Sequence, residues 1–240
     1  MLITTNAIVL SKIKYRDNDL IVTCYTQKNG LVSYILRNVS NSKKGYSKAA
    51  YFQLLSQIQL VALHKNNRSL QEVKEVKIHY MYHSLQTHVI KSSIVFFLSE
   101  TLTSILKEEE ANDNLYSYLE SALQWLDSQD EFANFHLLFL LKLTKHLGFY
   151  PEMTNINETW FNMAEGVFEE SKTNGYSVSG ENIVLLKHLL GINFDELNAV
   201  KINGNQRQSF LKMMLLYFEL HLEGFKKPQS MQIFNQIFNS

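Results

Sequence analysis

Leu20-Ile21-Val22-Thr23-Cys24-Tyr25-Thr26, then Gln27-Lys28-Asn29-Gly30, then Leu31-Val32-Ser33-Tyr34-Ile35-Leu36 is the stretch that decides the fold. Two runs of β-branched, aromatic and aliphatic residues flank a turn signal, and such side chains fit a pleated strand better than a helix. Asn29-Gly30 accepts positive φ, which predicts a tight type I′ hairpin between the runs. Working outward, a run from Ile3 to Ile13 precedes the pair, and the third run carries on to Val39. Runs from Leu54 to Leu63 and Leu70 to Ile78 follow, with Asn66-Asn67 as the turn between them. Ile58, Leu60 and Ala62 alternate with Gln57 and Gln59, and Val76 and Ile78 with Glu75 and Lys77, the period of a strand with one buried face. Five short strands in about 80 residues predict a small closed barrel, because closure removes the edges that so short a sheet would expose.

Beyond residue 80 the apolar period lengthens to that of helices. Leu85, Val89, Ile94, Phe97, Leu98, Thr101, Leu102, Ile105 and Leu106 mark one face of a first helix. Asp113 is placed to cap a second, through Leu115, Leu119, Ala122 and Leu126. Phe132 to Leu147, closed by Gly148 with Pro151 beyond, is apolar enough to lie at the centre of its domain. Residues 150–180 break the pattern, and Gly166-Val167-Phe168 and Tyr176-Ser177-Val178 read as a small hairpin around Asn174-Gly175. Ile183 to Leu190 and Gln206 to Leu222 are helical, with a turn capped by Asp195 between them and an amphipathic tail from Ser230 to Phe238. The expected class is α+β: a five-stranded barrel over residues 1–80, then an all-α domain over 81–240 with a small irregular hairpin insertion.

The chain has 240 residues, 45% of them hydrophobic, and one cysteine. A single Cys24 excludes a disulfide framework and a multi-cysteine zinc site, and its apolar neighbours mark it as a small buried hydrophobe rather than a reactive thiol. No apolar run reaches membrane-spanning length, and the N-terminus lacks a basic start and a long apolar centre. A soluble, cytoplasmic protein is expected. The zero net charge hides a split. Residues 1–80 hold twelve Lys and Arg against four Asp and Glu, a balance of +8, and residues 81–240 balance at −8. A basic module on a neutral chain points to a polyanionic partner.

The cations fall at strand ends and in loops: Lys12, Lys14 and Arg16 at the end of the first strand, Arg37 after the third, Lys43, Lys44 and Lys48 in a loop of small polar residues, Lys65 and Arg68 around the fourth turn. Such groups neutralise phosphates without reading bases. Tyr15, Tyr34 and Tyr46 are interleaved with them as candidate base-stacking rings, although for each tyrosine taken alone core packing is the plainer reading. His79 and His83 stand four apart with His88 beyond, at what reads as a helix start; no carboxylate completes a metal site, and surface packing is the plainer reading. Glu108, Glu109 and Glu110 read as a solvated helix end, and Asp17 and Asp19 as turn formers. Lys43-Lys44-Gly45-Tyr46-Ser47 lacks the glycine spacing of a phosphate loop, and no ordered Ser-His-Asp set appears. No catalytic residues and no metal or other cofactor are expected.

Ala7-Ile8-Val9-Leu10-Ser11-Lys12, Tyr15-Arg16-Asp17-Asn18-Asp19-Leu20-Ile21-Val22-Thr23 and Tyr25-Thr26-Gln27-Lys28-Asn29-Gly30-Leu31-Val32-Ser33 resemble the opening of the bacterial RecO family. Tyr51-Phe52-Gln53-Leu54-Leu55, His146-Leu147-Gly148-Phe149 before Pro151, and Leu222-Glu223-Gly224-Phe225-Lys226-Lys227-Pro228-Gln229-Ser230 continue the resemblance in order along nearly the whole chain. It implies an N-terminal OB-fold, a helical C-terminal domain and a non-catalytic recombination mediator. Its partners would be DNA, RecR and the single-stranded DNA-binding protein, and its work strand annealing and the loading of RecA. Two departures stand out. Many members of the family carry a four-cysteine zinc site after the central helix, whereas Glu152 to Gly180 holds no cysteine, so Trp160, Phe161 and Phe168 must hold that region by packing. Asn38 stands where a glycine is common.

The leading expectation is a DNA-binding and annealing mediator. Lys142, Lys145 and His146, at the rim of an apolar groove beside the third helix, are candidates for the acidic-apolar tail of the single-stranded DNA-binding protein. The alternative is a protein-interaction adaptor whose basic β module docks on an acidic protein. A metal-dependent nuclease would need a carboxylate cluster, which the sequence does not supply.

Overall fold

The computed structural model describes residues 1–37, 39, 48–65, 67–107, 110–232, 234 and 236. Its first five strands are β1 (Leu2–Tyr15), β2 (Asp19–Thr26), β3 (Gly30–Leu36), β4 (Gln57–Leu63) and β5 (Leu70–Tyr80). They close into a barrel in the order β1-β2-β3-β5-β4, the OB-type arrangement. β1 pairs with β4 along its first half and with β2 along its second, and the register shifts between Val9 and Ser11. That bulge bends one long strand around two sides of a small barrel. The seam that completes closure is parallel, Ser33 opposite Leu70 and Ile35 opposite Glu72. Val9, Val22, Cys24, Tyr34, Phe52, Ile58 and Leu60 fill the interior. Cys24 is fully buried, and burial pushes its thiol well above the usual range, so it packs as a small hydrophobe.

Two local expectations are corrected. The β2–β3 hairpin is not a two-residue type I′ turn. Thr26 pairs with Gly30 across a three-residue loop, and of the Asn29-Gly30 pair only Gly30 has positive φ, 56°. This is the three-residue hairpin with glycine in the left-handed position, held by Thr26 Oγ1, which accepts from the Asn29 N–H and donates to the Gly30 carbonyl. The fourth strand begins at Gln57 rather than Leu54. Leu55 takes a left-handed backbone, φ 56°, so that its side chain is fully buried while its N–H donates to the Val9 carbonyl.

Helices α1 (Val89–Ile105) and α2 (Asp113–Ser128) pack with the barrel. Ser99 Oγ donates to the Leu10 carbonyl, and Gln57 Nε2 donates to the Glu120 carbonyl. Asn112, not Asp113, caps α2: its Oδ1 accepts from the Leu115 N–H. β5 runs on to Tyr80, so His79 lies on a strand, where its Nε2 sits 3.2 Å from Glu120 Oε1. By contact the chain divides into two compact units, 1–128 and 129–240. The change of apolar period near residue 80 therefore marks where strands give way to helices, while the first two helices belong to the barrel's own unit.

In the second unit α3 (Phe135–His146) is buried along nearly its whole length, the central helix its composition demands. α4 (Glu181–Leu189) and α5 (Gly204–His221) complete the packing, with a short 3-10 segment, Phe194–Ala199, between them. The expected hairpin is a three-stranded sheet instead. β7 (Val167–Glu169) and β8 (Ser177–Val178) do not pair with each other, and both pair with β6 (Trp160–Asn162), a strand the turn signals did not mark. Phe161 and Phe168 are buried with ring centroids 4.9 Å apart, and Trp160 is half-buried. Among the described residues no helix is long and apolar enough to cross a membrane.

Candidate nucleic-acid interface

Three of the expected cations meet on one groove of about 410 Å³, although they come from three separate turns. Arg16 comes from the β1–β2 turn, Arg37 from the end of β3 and Arg68 from the β4–β5 turn, with Tyr15 beside them. The groove floor is the parallel seam, where Ile35, Leu70 and Glu72 share one face. Among the described residues, no carboxylate lies within ion-pair distance of the three guanidinium groups. Glu72, the acid in the groove, instead bonds Lys74 Nζ at 2.7 Å. That hydrogen bond and the charge of Lys74 hold the Glu72 carboxyl below its usual range, helped by Arg37 and Arg68.

Local structure fixes these groups. The Val39 N–H donates to the Asn18 carbonyl at 2.8 Å, tying the turn that carries Arg16 to the chain after β3. Arg16 has a left-handed backbone, φ 54°, and its guanidinium lies over the Tyr15 ring. The β4–β5 turn hangs on one buried amide. Gln71 Oε1 accepts from the Lys65 N–H at 2.8 Å, and Gln71 Nε2 donates to the Lys65 and Arg68 carbonyls at 3.1 and 2.6 Å. Sequence reading passed over Gln71; its place in the inward-facing row of β5, beside Val73, is the signal that a polar side chain there must be satisfied locally.

A second groove, of about 480 Å³, shares Asn67, Arg68 and Ser69 with the first and adds His64, Lys65 and Ser33. The remaining candidates are scattered. Lys12 and Lys14 are exposed on β1, and Lys12 Nζ bonds Gln53 Oε1 at 3.3 Å. Lys48 Nζ donates to the Lys74 carbonyl. Lys43, Lys44 and Tyr46 lie outside the described residues, as do Asn38, Glu108 and Glu109. Tyr34 is corrected as a stacking candidate: it is 3% exposed inside the barrel, and burial pushes its hydroxyl well above the usual range. Of the three rings Tyr15 alone is described at the surface.

Lys142, Lys145 and His146 do cluster at the end of α3. Partial burial, then the Lys145 charge, lowers the Lys142 ammonium against the opposing pull of Glu196, and His146 is lowered by burial and by both lysines. A mainly apolar groove of about 870 Å³ lies elsewhere, along α4 and the 3-10 segment, and none of these three residues lines it.

The region from Glu152 to Gly180 offers zinc a poor donor set. Asn162, Glu169, Thr173 and Ser177 converge, but they present amide, carboxylate and hydroxyl groups to one another rather than thiolate or imidazole to a metal. Thr173 Oγ1 donates to Glu169 Oε2 at 2.8 Å, and Asn162 Oδ1 accepts from the Ala164 and Glu165 N–H groups. Burial opposes ionisation of Glu169, yet hydrogen bonds from Ser177, Thr173 and Asn162 outweigh it and hold the carboxyl below its usual range. Among the described residues no three His, Cys, Asp or Glu side chains gather as metal ligands would.

An OB-type barrel with an arginine-lined groove over its closing seam, continued in one chain by a helical domain, defines a class of barrel-plus-helix proteins. The family described as Recombination protein O N terminal matches residues 1–82, and Recombination protein O C terminal matches residues 86–230. The chain belongs to the RecO family. It is 48% identical over 238 residues to the DNA repair protein RecO of Christiangramia forsetii, covering 99% of this chain and 100% of that one. To the DNA repair proteins RecO of Flavobacterium psychrophilum and Bacteroides fragilis it is 44% and 32% identical, with full coverage of both chains.

Proposed function

We propose that this protein acts in DNA repair and recombination as a mediator: it binds single- and double-stranded DNA, anneals complementary strands and, with RecR, helps load RecA onto DNA coated by the single-stranded DNA-binding protein. The observation that carries the reading is the convergence of Arg16, Arg37 and Arg68 on one groove in which the acid, Glu72, is bonded to Lys74. Three guanidinium groups against one carboxylate, itself bonded to Lys74, leave the groove a net positive charge that can take phosphates, whose condensed counterions are then released. The mechanism is electrostatic and requires no bond to be made or broken. Cations that screen phosphate repulsion let two strands approach, and base pairing does the rest. Lys142 and Lys145, with the neutral ring of His146 beside them, supply the cationic α3 end for the acidic-apolar tail of the single-stranded DNA-binding protein. Such work belongs in the bacterial cytoplasm, at the nucleoid.

The test is a fluorescence-anisotropy titration of the full chain with single-stranded oligonucleotide at several salt concentrations. Tight binding at low salt that weakens log-linearly with salt is expected. The double variant Arg37→Glu, Arg68→Glu should reduce the slope by about 1.4, the value for two lost phosphate contacts on a single strand. Absence of binding at low salt would favour the adaptor reading, in which the same cations meet an acidic protein.

A further inference from the structure

The β4–β5 turn separates two grooves rather than bordering one. Asn67, Arg68 and Ser69 line both. On one side they face Arg16 and Arg37; on the other they face His64 and Lys65. Side chains alternate along β5, so Leu70 and Glu72 belong to the first groove and Gln71 to the second. The two volumes are similar, about 410 and 480 Å³, and besides the shared Arg68 the first carries Arg16 and Arg37 and the second Lys65. The described residues of the divider are tied down by hydrogen bonds. The Gln71 amide holds the turn by three hydrogen bonds from a site only 4% exposed, and the Arg68 N–H adds a fourth to the Lys65 carbonyl at 3.1 Å.

We propose that the two grooves are separate lanes for two single-stranded segments held at once by one barrel, with the Gln71-pinned turn between them and Arg68 serving both. The proposal rests on the DNA-binding reading and goes beyond it, because it makes one chain sufficient to bring two strands together. Two strands in adjacent lanes start with their phosphates screened by different side chains, Arg16 and Arg37 for one and Lys65 for the other.

The experiment counts strands per chain. The full chain is titrated at low salt with fluorescent oligothymidylate about eight nucleotides long, within the span one OB-fold covers. Thymidylate does not pair with itself, so the count reports protein sites. Two oligonucleotides per chain are expected. Arg16→Glu with Arg37→Glu should leave one, and His64→Glu with Lys65→Glu should leave one, the lost site weakening about tenfold or more. Arg68→Glu should weaken both. Circular dichroism verifies that each variant keeps its barrel, and the milder Arg37→Gln and Lys65→Gln replace any that does not. One oligonucleotide per chain in the unaltered protein, or loss of both sites by either pair of substitutions, overturns the lanes while leaving the DNA-binding reading intact. No binding at all overturns both.

Discussion

The guanidinium of Arg16 lies 5.2 Å from the centroid of the Tyr15 ring, and Arg16 reaches that position with a left-handed backbone, φ 54°. An L-residue with a Cβ pays about 1–2 kcal/mol for that conformation. The turn keeps an arginine where glycine would sit without strain, and the charge at the groove is the physical return. Arg16→Gly should therefore leave stability within about 1 kcal/mol of the unaltered protein, since relief of strain offsets the greater freedom of glycine in the unfolded chain. Affinity for single-stranded DNA should fall severalfold at the same time. Urea unfolding and anisotropy titration of the same preparation check the pair, and a loss of stability above about 2 kcal/mol would contradict it.

Asp127 fastens the entry to the first helix. Its carboxylate accepts from the N–H groups of His83, Ser84 and Leu85, and Lys91 Nζ bonds its carbonyl at 2.9 Å. Burial pushes this carboxyl up, but the three backbone donors outweigh burial and hold it below its ordinary value. Because the folded value is depressed, its contribution is complete above the unfolded value of about 3.8 and is lost as pH falls below it. Asp127→Ala should cost about 3 kcal/mol or more, each orphaned donor costing about 1–3. Asp127→Asn, which keeps one acceptor oxygen, should cost less. Urea unfolding midpoints at neutral pH rank the two.

His136 sits wholly inside the second unit, with the Phe234 ring edge-on at 4.9 Å. Burial, reinforced by the Arg207 charge, pushes its pKa down to about 3. The unfolded chain thus takes up this proton near pH 6.5 while the folded chain does not. Stability is full above about 6.5 and should decline as pH falls below it, by up to about 1.4 kcal/mol per pH unit. His136→Leu should remove that part of the slope. Urea midpoints of both proteins at pH 7.5 and 5.5 decide it, and equal slopes would show that His136 does not carry the effect.

The knuckle of Asn162, Glu169, Thr173 and Ser177 should stand without metal. Elemental analysis of the purified protein is expected to find no stoichiometric zinc, and a chelator should leave the thermal midpoint unchanged. Asn162→Ala, which removes the amide bridging Glu169 and Thr173 and the acceptor for two N–H groups, should lower the midpoint by several degrees, equivalent to about 1–3 kcal/mol. A chelator-sensitive midpoint would mean that these oxygens do hold a metal.

Much of the fold was legible because alternation and helical period are local properties. Each barrel strand lies where β-branched runs fall, and α3 lies where the chain is most apolar. What misled was local chemistry open to more than one solution. Asn29-Gly30 suits two hairpin types, and the three-residue loop prevailed because Thr26 could satisfy it from within. Turn signals at Asn174-Gly175 suggested a hairpin, but the apolar faces of Phe161 and Phe168 needed one another, and β6 took the central place.

The sequence by itself determined which side chains carry positive charge and that they occur at strand ends and turns. It could not say which of them meet, because Arg16, Arg37 and Arg68 are distant in the chain. Nor could it say that Tyr34 faces inward while Tyr15 stays at the surface. Closure of the barrel, completed by the parallel pairing of β3 with β5, decided which cations meet and turned Tyr34 inward. Closure turns one row of each strand inside, where only apolar or locally satisfied groups survive, and it draws three separate turns to one rim. The grooves are properties of that closure, and no one segment contains either of them.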